Sequence, residues 1–370
     1  MKNEIIQRQE NVRNLMSNKG FSGLVLATAQ NIQYFAGVLE PSVQTCGVVV
    51  FTQQAQPVLA VLWLDAEAAQ EEVEGLSIET YTPTTHGKVI AEILERLGST
   101  KGVIGMDDRA LRVVGNSVRR SLPDTELVNT SLAIEEEVRS VKSEEEIRYI
   151  QKACQIAEQG MRAAAESLKP GVTELEVAAL AESQMIKLGS DRLKHATVVA
   201  SGSRVRLIHA FATQKKIESG DIVAIDLGAV YRGYCSDLAR TFVVGSPDEE
   251  LKKGFDVLRS AQDALLQKLR PGVSIQELQA VPREAVEAAG HRLVGHVGHN
   301  IGLQVEEHPF IMGAASPEQD SKIEKNMVVA FFQGSIRRER NLGIRLEDTV
   351  LVTESGAKML TTYPGELISC

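Results

Sequence analysis

Six residues recur almost unchanged in the second half of this chain. Leu168-Lys169-Pro170-Gly171-Val172-Thr173 is matched by Leu269-Arg270-Pro271-Gly272-Val273-Ser274, an offset of 101 residues (168 to 269). Pro-Gly stops one helix, and Thr or Ser opens the next. Thr173 with Glu176 and Ser274 with Glu277 have capping-box spacing, in which a hydroxyl and a carboxylate each satisfy the other residue's backbone N–H. The unit of helix, Pro-Gly turn and capped helix therefore occurs twice. Each copy is followed by a histidine-containing strand region. Two similar α+β halves facing each other across a cleft are the arrangement this predicts.

Residues 1–135 read as a separate α/β unit. Helical periodicity covers Asn3 to Lys19. A buried strand follows at Gly23–Ala27, then a polar turn and Asn31-Ile32-Gln33-Tyr34-Phe35. Strand-like apolar runs recur at Cys46–Phe51, Pro57–Leu62 and Gly102–Met106, with amphipathic stretches at Lys88–Leu97 and Arg109–Ser121. Alternation of this kind predicts a mixed sheet covered by helices. His86, the one histidine before residue 190, reads as a surface or core histidine. A charged connector spans Ala133 to Arg148, and within it Ser143 and Glu146 form a third capping box, opening an amphipathic helix to about Ser167. The boundary is placed near residue 135, with the second domain at 136–370.

A net charge of -9 argues against a nucleic-acid partner, which wants a basic footprint. The short cluster Arg337, Arg338 and Arg340 is interrupted by Glu339 and reads as a solvated loop. No apolar run approaches the ~20 residues that cross a bilayer. The N-terminus lacks the apolar core of a signal peptide. Four cysteines without a CxxC pair read as thiols of a cytoplasmic protein.

Chemistry concentrates after residue 190, where six of the seven histidines lie. Two strand-like runs, Asp221–Leu227 and Asp237–Val244, flank a Tyr-Arg-Gly turn. A turn centred between Tyr231 and Arg232 sets Asp226 directly opposite Asp237, with Cβ atoms about 4.5–5.5 Å apart. Facing carboxylates repel, so something must neutralise them: a divalent metal, a shared proton, or an arginine such as Arg240. A solvated hairpin face is the alternative, but Asp226 sits in an apolar strand. A second cluster is Gly295-His296-Val297-Gly298-His299-Asn300-Ile301-Gly302, continuing to Glu306-Glu307-His308-Pro309. A third is the strand Ile344–Val352, in which Arg345 and Glu347 share one face.

These residues carry a resemblance to a known family. Ile225-Asp226-Leu227-Gly228 with Tyr234-Cys235-Ser236-Asp237 and Arg240-Thr241-Phe242 resembles the metal-binding hairpin of the M24 "pita-bread" hydrolases, which include prolidase, aminopeptidase P, methionine aminopeptidase and creatinase. Asn31–Gly37 resembles the creatinase-type N-terminal domain, and Val141-Lys142-Ser143 with Glu146-Ile147 its connector. The resemblance implies an α/β creatinase-like N-terminal domain followed by an α+β pita-bread catalytic domain with pseudo-two-fold halves. It implies metal ligands at Asp226, Asp237, His299 and Glu347, and an active-site histidine at His209.

Two departures stand out. The family's Glu-Pro-Gly follows a Met-Val by five to seven residues. Counted from Met327, those positions hold Phe332, Gln333 and Gly334, so phenylalanine replaces the fourth ligand. In the His-Glu-x-x-Pro-like segment the histidine position holds Glu306, with His308 two residues on. His296 also stands three residues before His299, where many relatives have a histidine four before.

A two-metal centre is weakened by these changes. One divalent ion (Mn, Zn or Co) or none is the expectation. The resemblance thus implies a Xaa-Pro dipeptidase-like hydrolase cleaving a peptide or amide C–N bond of a small substrate, as a homodimer. His209, Glu306 and Glu347 are the candidate catalytic residues; His296, His308, Phe332 and Arg345 are the candidate substrate contacts. Phe211, Phe310, Phe331 and Phe332 are read either as an apolar wall or as plain core. A metal-independent non-peptidase C–N hydrolase and an inactive binding protein are the alternatives.

Overall fold

The computed structural model describes residues 2–73, 75–208, 210–294, 297–312, 321–331, 335–337 and 343–370. His209, His296, Phe332 and Gln333 therefore lie outside the described residues. The chain divides into two compact units, residues 1–139 and 140–370.

In the first unit a helix, Lys2–Lys19, precedes six strands: β1 (Phe21–Leu26), β2 (Val48–Thr52), β3 (Val58–Leu62), β4 (Ser77–Tyr81), β5 (Gly102–Met106) and β6 (Thr125–Asn129). They form one mixed sheet in the order β4-β3-β2-β1-β5-β6. β2 is β-branched and aromatic along its length and buried at every position, as a strand covered on both faces must be. Val25, Val50, Ile90, Leu94, Ile104, Met106 and Val118 belong to one core. Asn31–Phe35 lies in a helix, Ala29–Ala36, capped by Thr28 and stopped by Gly37 at φ 73°. The buried Asp107 ties this helix to the sheet by accepting from Ala27 N, Thr28 N and Asn31 Nδ2. His86 stacks on Tyr81 with ring centroids 4.0 Å apart.

The second unit opens with the long helix Glu144–Ser167, and its capping box between Ser143 and Glu146 is formed. Its strands are β7 (Arg192–Leu193), β8 (Val198–Ser201), β9 (Ile222–Leu227), β10 (Ala229–Tyr231), β11 (Tyr234–Cys235), β12 (Leu238–Val243), β13 (Arg292–Val294), β14 (Gly298–Asn300), β15 (Glu307–Ile311), β16 (Val328–Phe331), β17 (Ser335–Arg337), β18 (Asp348–Thr353), β19 (Gly356–Met359) and β20 (Ile368–Ser369). The two larger sheets run β20-β12-β9-β8 and β15-β14-β16-β18-β19.

The six-residue repeat is a repeat of structure. Thr173 and Ser274 both complete capping boxes, on the helices Glu174–Lys187 and Ile275–Ala288. Gly171 N donates to Ile217 O, and Gly272 N donates to Ile323 O, each at 2.8 Å. Thr173 then bridges Lys216 as Ser274 bridges Lys322. Each copy thus ties its helix pair to the segment that leads into β9 or β16. Met161, Val177, Val199 and Ile225 share the core of the first copy; Leu258, Leu278, Val329 and Val350 share that of the second.

The two sheets meet where β12 touches the segment before β18. Ala239 N donates to Glu347 O at 3.2 Å, and Glu347 N donates back to Ala239 O at 3.0 Å. The Thr241 hydroxyl donates to Arg345 O at 2.8 Å, and Arg345 N donates to the same hydroxyl at 2.7 Å. All four cysteines are free thiols. Among the described residues no helix is long and apolar enough to cross a membrane.

Candidate active site

The hairpin carrying the two aspartates is built differently from the sequence expectation. β10 and β11 pair Val230 with Cys235 and Tyr231 with Tyr234, which puts the turn at Arg232-Gly233. Both turn residues have positive φ, 48° and 79°. That is the geometry of a two-residue primed turn, whose twist suits a hairpin. The register is therefore shifted from the expected one, and Asp226 pairs with Ala239, not Asp237. Asp237 lies two residues before Ala239, between β11 and β12. The aspartates are diagonal neighbours.

They are brought together by a cation that sequence reasoning missed. Lys194 Nζ donates to Asp226 Oδ1 at 2.6 Å and also to Asp237 Oδ1. Its side chain is fully buried. The lysine is placed by backbone on both sides: Lys194 N donates to Gly228 O at 3.0 Å, and Val198 pairs with Asp226. Gly228 makes room for the stem, since a Cβ there would come within 2.6 Å of Lys194 Cδ and 2.0 Å of Ser236 O. Arg240, the cation expected nearby, goes elsewhere. Its Nη2 donates to Asp348 Oδ1 and Tyr363 O, its Nη1 to Glu347 O and its Nε to Pro364 O. The demand for a positive counterpart was legible in the hairpin. Its identity was not, because Lys194 lies 32 positions before Asp226 in an unremarkable polar stretch.

Arg345, Glu347 and His299 complete the nest. Arg345 Nη1 stands 3.7 Å from Asp226 Oδ2, while its Nη2 donates to Leu207 O at 2.7 Å. His299 Nε2 stands 3.9 Å from both Asp237 Oδ2 and Glu347 Oε1. Its Nδ1 faces Asn300 O at 3.1 Å. Among the described residues, Arg345 Nη1 and both Glu347 carboxyl oxygens have no hydrogen-bond partner within 3.5 Å, their ionisable neighbours Asp226 and His299 standing at 3.7 and 3.9 Å. His195, also missed, puts Nε2 3.7 Å from Asp226 Oδ1.

Electrostatics sort these groups. Burial raises the Asp226 pKa, but Lys194, His195 and Arg345 outweigh it and hold the carboxyl down to about 2. Burial would depress Lys194, yet Asp226, Asp237 and Glu347 carry it above the ordinary lysine value. Glu347 moves the other way. Burial, then the Asp237 and Asp226 carboxylates, push it well above the usual carboxylate range.

Other expected residues fall outside this nest. Glu306 is exposed, in the turn before β15. The adjacent Glu307 is the buried one, with Oε2 3.7 Å from Lys142 Nζ. A β-bulge next to Asn300 sets this register, Asn300 pairing with Glu307 and His299 with Phe310. His308 is half-buried and packs edge-on to Phe310 at 4.6 Å. Phe331 is core, and Phe211 is exposed.

Asp237, His299 and Glu347 offer ligand atoms within 4.8 Å of one another, a partial metal site. A pair of ions does not fit the residues present, because the Lys194 ammonium holds an oxygen of each aspartate.

Comparison with known proteins defines the class. Residues 148–354 match the model of metallopeptidase family M24, and residues 8–141 match the creatinase/prolidase N-terminal domain. The chain belongs to family M24 and is a hydrolase by class, with the pita-bread fold behind a creatinase-type N-terminal domain. It is 32% identical to a Xaa-Pro dipeptidase of Pyrococcus furiosus over 364 residues, 98% of this chain and 99% of that one. It is also 32% identical to the uncharacterized peptidase YqhT of Bacillus subtilis, over 97% of this chain and 99% of that one. Among solved structures it resembles a Xaa-Pro dipeptidase from Bacillus anthracis, with a TM-score of 0.89 at 29% identity over 99% and 100% of the two chains. It also resembles the prolidase from Pyrococcus furiosus, with a TM-score of 0.82 at 31% identity over 95% and 99% of the two chains.

Proposed function

We propose that this protein hydrolyses a peptide or amide C–N bond in a small substrate, without a pair of metal ions. The observation that carries the reading is the unpartnered, buried set of Arg345 Nη1 and the two Glu347 oxygens. A buried polar atom left unpaired costs about 1–3 kcal/mol, so a fold keeps such atoms where a ligand completes them. The Arg345 Nη1 group, which pairs with Asp226 only at 3.7 Å and makes no hydrogen bond, suits a substrate carbonyl oxygen, where negative charge develops. Glu347, whose carboxyl burial and the two aspartates push well above the usual carboxylate range, suits the leaving nitrogen. With its Nδ1 proton assigned to Asn300 O, the neutral His299 ring carries its lone pair on Nε2, the nitrogen that faces Asp237 and Glu347, and in this scheme that nitrogen takes the proton of the attacking water.

The reaction balances as follows. The water oxygen bonds to the carbonyl carbon, and its proton goes to His299 Nε2. The C–N bond then breaks, and the nitrogen departs with the Glu347 proton. His209 is proposed as a substrate contact on the strength of the family resemblance, and His296, His308 and Phe332 from their places in the sequence segments that carry the expected ligands. Glu306, being exposed, takes no step in this scheme. A homodimer in the cytoplasm belongs to the same proposal and rests on that resemblance, with the free thiols suiting a reducing compartment.

A second reading is favoured by the closeness of Asp237, His299 and Glu347 and by the names of the relatives: a Xaa-Pro dipeptidase with one divalent ion (Mn, Zn or Co) on those three residues. The two are separated by assaying chelator-dialysed protein on Xaa-Pro dipeptides and on small amides, with and without each ion. The first reading expects chelator-insensitive turnover that falls about 10²–10³-fold in Arg345→Met. Turnover that appears only with added ion establishes the second reading and overturns the first. Ligand binding with no turnover points to a binding protein.

A further inference from the structure

The hairpin of an M24 enzyme gathers carboxylates that need positive charge between them. In this chain that charge comes from within. We propose that Lys194 is a built-in cation whose ammonium takes the place of a divalent ion between Asp226 and Asp237, so that the nest is complete without metal. The proposal concerns how the nest is neutralised, and it stands or falls independently of which bond is cut.

Three observations carry it. The ammonium bonds an oxygen of each aspartate, which is how a bridging ion would be held. The lysine is not a surface side chain that has swung inward. Its backbone is bonded to Gly228 O, and its side chain is fully buried. Finally, the stem lies in a groove that exists because residue 228 has no Cβ, so hairpin and lysine are fitted to each other. Charge agrees with geometry. Arg345 stands 3.7 Å from the far side of Asp226, so two cations already serve the three carboxylates Asp226, Asp237 and Glu347. Adding a divalent ion would leave the nest with excess positive charge in a region of low dielectric.

The test measures metal uptake and melting, with no substrate present. Chelator-dialysed full-length protein is titrated with Mn²⁺, Zn²⁺ and Co²⁺ by calorimetry, and its metal content is measured after gel filtration. Wild type is expected to retain none of these ions stoichiometrically and to melt at the same temperature with chelator or with ion. Lys194→Ala empties the groove and leaves the aspartates facing each other. It is expected to melt about 10 °C lower in chelator, to bind Mn²⁺ or Zn²⁺ at least about tenfold more tightly than wild type, and to regain stability on binding. Lys194→Met keeps the stem without the charge. With the groove still filled it should lose less stability than Lys194→Ala, and it should not be rescued by ion. If Lys194→Ala fails to fold, the comparison moves to Lys194→Met and Lys194→Met with Asp226→Asn, in which removing a carboxylate should raise the melting temperature. Stoichiometric ion in wild type with a raised melting temperature overturns the proposal. So does a Lys194→Ala protein as stable as wild type in chelator.

Discussion

At the scale of single residues, burial decides which groups can change charge. Tyr81, in the first unit, shows this. Its hydroxyl donates to Cys46 O, and its ring stacks on His86. Burial, reinforced by Cys46 and Asp65 against an opposing Arg109, raises its pKa from 10.0 to about 12. The folded state therefore holds this proton more tightly than the unfolded state does. The stability it contributes is fully present below about pH 10 and is lost as pH rises through 10 to 12. A phenolate absorbance titration is expected to show a late-ionising tyrosine that disappears in Tyr81→Phe. A Tyr81→Phe protein with an unchanged titration curve would contradict it. At the candidate site, residue-scale reasoning found Asp226, Asp237, His299, Arg345 and Glu347 because charged and histidine side chains stand out among apolar neighbours. It missed Lys194 and His195. A lysine in a polar stretch carries no mark of burial until the strands that enclose it are placed.

At the scale of elements, the punctuation of the chain was its most readable part. The boxes at Ser143, Thr173 and Ser274 all form, because capping is local chemistry decided within four residues. Register is not local in that way. The hairpin shifted because the turn selects its own pair of positive-φ residues, and Arg232-Gly233 outcompetes the pair centred one residue earlier. Arg240 then joins elements far apart in sequence. From β12 it donates to Glu347 O just before β18, to Asp348 Oδ1 at the start of β18, and to the later turn at Tyr363 O and Pro364 O. Arg240→Met would leave Asp348 buried without its cation and free the backbone that carries Glu347. The expected cost is about 3–5 kcal/mol in urea denaturation, the range for removing one partner of a buried pair. A loss under about 1 kcal/mol, the worth of an exposed pair, would show that Arg240 does not anchor this segment.

At the scale of the whole molecule, the chain is two units with separate cores. Residues 1–139 contain a complete six-stranded sheet and its own buried cluster. Expressed alone, that segment is expected to fold and melt cooperatively, as followed by far-ultraviolet circular dichroism. A non-cooperative melt would mean that its core is insufficient. The overall architecture was legible because repeated helix punctuation and alternating strands are patterns spread over many residues. The centre was less legible because it is assembled from β9, the β11–β12 junction, β14 and the segment before β18, whose approach depends on sheet register.

The root of Lys194 in the backbone beside Gly228 has one further consequence. A charge that is part of the polypeptide arrives with synthesis, one per molecule, and never dissociates. On the proposal that this ammonium stands in for an ion, scarcity of trace elements would leave the molecule fully equipped.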